Sequence, residues 1–406
     1  VSEQREFDLV LFGATGFTGR LVAEYLLEID APVRWALAGR SKAKLEAVVA
    51  ELAARSPKAR SLPLLIGDAL DPTSVRALVG RTRVVCTTVG PYDKYGLPIV
   101  EACANAGVHY CDLTGETQFI RKSIDRAHAA AIESGARIVH CCGFDSIPSD
   151  LGTFMLAAHF AAKGDRLAEA HLRVKRATGG VSGGTIASML NLMETLTTPE
   201  ARRAVFDPYS LYPIGTPRGR DGRDLAGVAR DAENGRWLAP FVMAAINARV
   251  VRRSNALLGF PYGEDFRYDE TTDMGRGAGG LLRASAFTAG LGAFTAAAAT
   301  GPGRKLLGRF LPAPGEGPTR EARERGGFRI EILAKGKSGA RATGVVIGRK
   351  DPGYGETAKM LSESALCLAN DALGSKGGVL TPASAMGDAL LARLRAAGMT
   401  FEVEAA

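Results

Sequence analysis

Three glycines carry the clearest chemistry in the chain. Gly13, Gly16 and Gly19 recur every third position in GATGFTG, directly after the apolar run FDLVLF and before a stretch with helical spacing. In the order strand, glycine turn, helix, each has a separate use. Gly13 permits a tight turn, Gly16 clears the approach of a pyrophosphate to the backbone, and Gly19 lets the helix lie close to the strand. Ala14, Thr15, Phe17 and Thr18 complete the turn. The free N–H groups at the helix start, with the helix dipole behind them, favour a bound anion.

The next strand selects the cofactor. A site for NAD places Asp or Glu at its end, to bond the ribose 2′-hydroxyl. This chain has AGRSKAK there, so Arg40 stands where the acid would, followed by Ser41 and Lys44. A guanidinium and a hydroxyl suit a 2′-phosphate by charge-assisted bonds. NADPH is therefore expected over NADH. Asp68, after the third strand, is placed to bond the adenine amine. Val89, Gly90 and Pro91 end the fourth strand where a nicotinamide should lie.

Such a cofactor implies hydride transfer, with the proton coming from an acid of the chain, from water or from the substrate. None of the tyrosines has a lysine four residues on, so the Tyr-x-x-x-Lys pair of short-chain dehydrogenases is excluded, as are a P-loop and a serine elbow. Tyr92 is the first candidate acid because it follows the fourth strand. Asp145, in CCGFDSIPSD, has Ser146 beside it to orient substrate or nicotinamide. Tyr95, Asp145 and Cys142 are all weaker candidates than Tyr92. For each, a wall or turn residue is an equal reading. A further glycine-rich helix start, SGGTIAS (182–188) with Thr185, is a second candidate anion or carbonyl site.

These residues need a frame. Apolar strand-like runs at 7–12, 33–41, 61–71, 82–92, 108–116 and 136–145 alternate with helical spacing. The alternation predicts an α/β fold whose first 150 residues form a doubly wound parallel sheet of Rossmann type. Residues 151–350 read as a second, mixed α/β domain, with strands near 169–177, 245–252, 328–334 and 342–348 and a long irregular loop over 207–240. A helix is expected to start near Ser149 or Asp150. Residues 351–406 read as two C-terminal helices packing back on the first domain, with Pro382 in the first turn of the last.

Composition sets the bounds. The chain has 406 residues, 46% of them hydrophobic, and a net charge of +8. That profile suits a folded protein of two domains with a polyanionic partner, and charge alone does not choose the partner. The six cysteines form no C-x-x-C pair and the five histidines no zinc-like spacing, so no metal is expected. The polar start VSEQREFD carries no targeting pattern, which fits a cytoplasmic location. One stretch, 277–300, is long and apolar with a single charge, Arg283. Its Ala, Gly and Thr give little drive to span a bilayer, but it can touch a membrane or lipid from the side.

Together FGATGFTG, LAGRS, TTVGPY, YCDLTGE, CGFDSIPSDL, SGGT, RRSNALL, PGYGETA and GVLTPASAMGDALL resemble the saccharopine dehydrogenase-like oxidoreductases, over nearly the whole chain. Within them the likeness is to the trans-acting enoyl reductases of phthiocerol-type complex-lipid synthesis. The resemblance implies reduction by NADPH of the double bond of an acyl chain held on a polyketide synthase. The partner implied is that carrier-bound chain, with no nucleic acid. Reduction of an imine or ketone, or NADP or lipid binding without turnover, stays open at this point.

Overall fold

The computed structural model describes residues 5–179, 196, 198–307 and 316–405. Six strands follow one another through its first third: β1 (Phe7–Phe12), β2 (Trp35–Gly39), β3 (Leu64–Ile66), β4 (Thr82–Thr87), β5 (His109–Cys111) and β6 (Arg137–Val139). They are joined by β13 (Gly378–Leu380) in a seven-stranded sheet of order β13-β6-β5-β4-β1-β2-β3. Every pairing in it is parallel. Leu9 and Leu11 of β1 join the apolar cluster that holds Val22 and Leu26 of the following helix. Val10 and Phe12 join the other cluster, with Val75, Leu78, Ile99 and Val100. Both faces are thus covered, which is why β1 reads as a continuous apolar run. The strand order reverses at β1, which lies between β2 and β4. In open parallel sheets the crevice beyond the carboxyl ends of the strands at that point is the binding site.

The second sheet has β7 (Leu167–Thr178), β8 (Ala229–Arg230), β9 (Trp237–Pro240), β10 (Arg267–Gly275), β11 (Gly327–Gly336), β12 (Arg341–Gly348) and β14 (Thr400–Ala405), in the order β14-β12-β11-β7-β10-β9-β8. It is mixed: β7 and β10 run parallel, and the other pairings are antiparallel. The helix Ile147–Ala162 presses onto it so closely that a Cβ on Gly152 would lie 2.6 Å from Ile332 Cδ1.

The tail supplies more than the two helices expected. The helix Thr357–Asn370 packs on the helix Phe17–Glu28 and on β4, and Tyr25 donates to Glu363 at 2.7 Å. The helix Pro382–Ala396 starts as expected, with Pro382 in its first turn and a capping box from Thr381. Its neighbours β13 and β14 were not expected, and they add one strand to each sheet.

Three other expectations differ. Residues 245–252 are not a strand but part of the helix Ala244–Leu257. Val250 and Val251 favour a strand, yet Arg249, Arg252 and Arg253 are all buried beside them. They find remote partners: Arg249 in Asp224, Arg252 in Asp221, Arg253 in the Leu211 and Val379 carbonyls. The expected loop over 207–240 contains β8 and β9, and β10 went unread. The helix near 149 begins at Ile147, and Asp150 instead accepts from Ala383 N–H, capping the last helix from a distance.

Candidate active site

The strand ends assemble one crevice. After β1 the chain turns at Gly13 with φ +98°, a conformation that favours glycine. A side chain there would collide with Thr88 Oγ1 at 2.8 Å. A Cβ on Gly19 would sit 2.3 Å from the Gly13 carbonyl oxygen. Gly16 is different: its Cβ would meet only the Gly13 oxygen, at 3.3 Å, and otherwise open space. Gly16 is the N-cap of the helix Phe17–Glu28, without a side-chain cap bond and without an acid in the first turn. The first N–H groups of that helix therefore lack the side-chain acceptor that many helices supply, which leaves them to an anion. Ala14 is buried and its N–H is held by the Ala38 carbonyl, so it shapes the turn. Thr15, Phe17 and Thr18 are half-buried, and the Phe17 ring meets Tyr354 edge-on at 5.2 Å with the Arg323 guanidinium over it.

Arg40 follows β2 and is exposed, and no ion pair involves it among the described residues. Ser41 caps the next helix by accepting from Lys44 N–H at 3.4 Å, which leaves its O–H able to donate. Lys44 is exposed one turn further on. Asp68 spends Oδ1 on Leu70 N–H at 3.0 Å. These groups fit a dinucleotide with a 2′-phosphate: an uncapped helix start for the pyrophosphate and an exposed guanidinium and hydroxyl at the next strand end. Val89, Gly90 and Pro91 form the rim after β4, half-buried or exposed.

Tyr92 is not placed to act as the acid. It is the first residue of the helix Tyr92–Ala106 and only 4% exposed. Its hydroxyl donates to the Thr87 carbonyl at 3.2 Å and its ring stacks on Phe119. Burial pushes its pKa well above the ordinary phenol value. Cys142 is likewise buried, its thiol against the Val139 carbonyl and its pKa raised by burial. Tyr95 is half-buried, with the Lys94 ammonium over its ring. The SGGTIAS site lies outside the described residues.

Asp145 differs from these. It follows β6, half-buried, and no hydrogen bond to its carboxyl is found among the described residues. Its Oδ2 faces Gly115, where a Cβ would sit 3.7 Å away, and Met243 Cε closes the same spot. Desolvation raises its pKa from 3.8 to about 6, so near neutrality it both holds and releases a proton. Its turn is fixed from the second half of the chain. Phe144 N–H donates to Thr357 Oγ1 at 3.0 Å. Ser146 Oγ donates to Asn247 Oδ1 at 2.9 Å. Asn247 Nδ2 in turn donates to Glu270 at 2.9 Å, and Tyr268 O–H donates to the same carboxyl at 2.7 Å.

Two buried acids hold the remaining walls. Asp112, at the end of β5, accepts from Thr114 N–H, Cys141 N–H and Tyr110 O–H, and bonds His140 Nδ1 at 2.7 Å. Glu116 accepts from Tyr92 N–H at 2.9 Å and Asp93 N–H at 3.0 Å, capping the helix after the TTVGPY rim. Sequence reasoning assigned neither of them a role. The signal present was a carboxylate just past an apolar parallel strand, where burial demands donors. Asn247, Glu270 and Thr357 gave no such signal, being distant in sequence. Among the described residues no group of three His, Cys, Asp or Glu side chains could hold a metal.

Comparison with known proteins bears on the family and the fold. Residues 9–139 match the saccharopine dehydrogenase NADP binding domain. A protein of Mycobacterium tuberculosis, provisionally named a trans-acting enoyl reductase, is 45% identical over 98% of this chain and 97% of its own. The trans-acting enoyl reductase of Mycobacterium ulcerans is 44% identical over 98% of each chain. In fold, the apo saccharopine dehydrogenase of Saccharomyces cerevisiae superposes with a TM-score of 0.55 at 14% identity, covering 98% of this chain and 100% of that one.

Proposed function

The chain belongs to the saccharopine dehydrogenase-like NADPH-dependent oxidoreductases, alongside the trans-acting enoyl reductases, and from that premise we propose that it reduces the carbon–carbon double bond of an enoyl thioester presented by the carrier domain of a polyketide synthase. One observation carries the reading. The uncapped glycine turn, the exposed Arg40 and the half-buried Asp145 all lie at the carboxyl edge of the same parallel sheet.

NADPH, when bound, supplies the hydride that the β-carbon takes up. The chain's own groups do the rest. The amides after Gly16 and the Arg40 guanidinium fix the dinucleotide by its phosphates. Asp145 gives its proton to the α-carbon, its O–H bond breaking as the π pair of the double bond takes the proton, so that the hydride and this proton together saturate the double bond. Burial, which raises this carboxyl to about 6, keeps part of it protonated near neutrality, and it is re-protonated from solvent between turnovers. The acyl chain in this reading is a lipid precursor of the phthiocerol type, and the net positive charge favours an acidic carrier domain.

The test is NADPH oxidation with an enoyl thioester loaded on an acyl carrier domain. The reading predicts one NADPH consumed per acyl chain and a product heavier by two hydrogens. NADPH binding with no oxidation, on carrier-bound or free enoyl thioesters, would refute it. Faster turnover of a free imine or ketone would replace it.

A further inference from the structure

The helix Gly277–Ala298 departs from the rest of the molecule. A helix that is apolar all round belongs in a core or against lipid. This one has 22 residues, and its most apolar part has a mean hydropathy of 1.2 with only 11% buried. Gly280, Ala284 and Ala298 are its buried positions. At Gly280 it is pinned to the second sheet, since a Cβ there would meet the Gly275 carbonyl oxygen at 2.5 Å and Trp237 at 3.1 Å. Leu281, Leu282 and Phe287 point outward, Leu282 with 72% of its surface exposed. The helix Gly301–Leu307 follows and exposes Leu306.

Along the chain, the charge in and after this helix has one sign. No acid occurs from Met274 to Gly315, whereas Arg276, Arg283, Arg304, Lys305 and Arg309 all do. An exposed apolar helix that carries and is followed in sequence only by cations is complementary to a surface with apolar depth and negative headgroups. Neither a second copy of this basic chain nor an acidic carrier domain offers both. Ala, Gly and Thr supply too little transfer energy to carry the helix across a bilayer.

We infer that the helix Gly277–Ala298, with the basic helix after it, lies in the surface of an anionic bilayer and docks the enzyme there. The inference does not rest on the enoyl reductase reading, and the experiment needs no turnover. The full chain is floated with vesicles of phosphatidylcholine alone and of phosphatidylcholine mixed with phosphatidylglycerol. The expected result is recovery with the mixed vesicles, enriched by at least about fivefold over the neutral ones, the effect of a single cation near an anionic surface, and weakened by salt. The double variant Leu282→Glu/Phe287→Glu should lose at least about tenfold of that recovery, as apolar area is withdrawn from lipid. A second variant, Arg304→Glu/Lys305→Glu, should lose the preference for anionic vesicles. Circular dichroism and NADPH binding equal to the parent show that both variants are folded. Absence from both vesicle fractions, equal recovery with neutral vesicles, or unchanged recovery of the Leu282/Phe287 variant would each overturn the inference. So would self-association in solution that the same two substitutions abolish, without vesicle binding.

Discussion

Replacing Arg40 by Asp tests the choice of coenzyme at one side chain. In the structure Arg40 is exposed and without an ion pair among the described residues. Its removal therefore leaves no orphaned partner, and the fold should not respond. What is lost is one charge-assisted bond to the 2′-phosphate, worth about 1.5–3 kcal/mol, or about ten- to a hundredfold in affinity. Exposure puts Arg40→Ala near the lower end, since water competes for the guanidinium. Arg40→Asp adds repulsion. A carboxylate about 6 Å from a phosphate in a solvated setting costs about 1 kcal/mol for each phosphate charge. That is roughly another tenfold. Ser41 and Lys44 remain to give residual binding. The assay is titration of each variant with NADPH and with NADH, followed by nicotinamide fluorescence. NADPH affinity should fall about tenfold for Ala and about a hundredfold for Asp, while NADH affinity stays near that of the parent. Equal weakening of both coenzymes, or no weakening of either, would refute the assignment.

Three further outcomes follow from the same geometry. Asp145 has its pKa raised to about 6 in the native protein from 3.8, so the folded state binds the extra proton. Its contribution to stability is full below about pH 4 and is lost as pH rises through 6. Asp145→Asn should therefore raise the melting temperature at pH 8 and reduce the loss of stability between pH 4 and 6, as calorimetry would show. Asp150 and Glu270, which burial pushes to about 7, keep their own share. Gly19→Ala places a methyl 2.3 Å from the Gly13 oxygen and should cost about 1–3 kcal/mol of stability as the helix is pushed off the loop, with weaker NADPH binding in the same titration. Asp112→Ala orphans four bonds in a fully buried site and should cost at least about 3 kcal/mol, read by urea unfolding.

The first sheet was legible because its strands are buried on both faces and its turns carry glycine. The strand–glycine–helix order marked the turn that Gly13 makes after β1, and Arg40 stands exposed after β2, where the sequence placed it. Tyr92 was misplaced because its strand runs toward the crevice, while the helix that begins at Tyr92 folds the ring inward onto Phe119. The helix Ala244–Leu257 was misread because Arg249 and Arg252 meet Asp224 and Asp221, residues about 25 to 30 positions earlier, and Arg253 meets backbone carbonyls, none of which local pattern links to it. Thr357, Asn247 and Glu270 reach the Asp145 turn only through tertiary contact, so nothing local marks them. β13 is only three residues long, and both β13 and β14 lie beside strong helical periodicity, which hid them.

Isotope transfer tests the central claim most directly. The enzyme is given an enoyl thioester on its carrier domain with NADPH deuterated at the transferred position, and separately with ordinary NADPH in heavy water. The account predicts deuterium from the coenzyme only at the β-carbon and deuterium from solvent only at the α-carbon, with Asp145→Asn slowing the reaction by about a hundredfold or more. Coenzyme deuterium on the oxygen- or nitrogen-bearing carbon of some other substrate, or full activity in the Asp145→Asn variant, would contradict it.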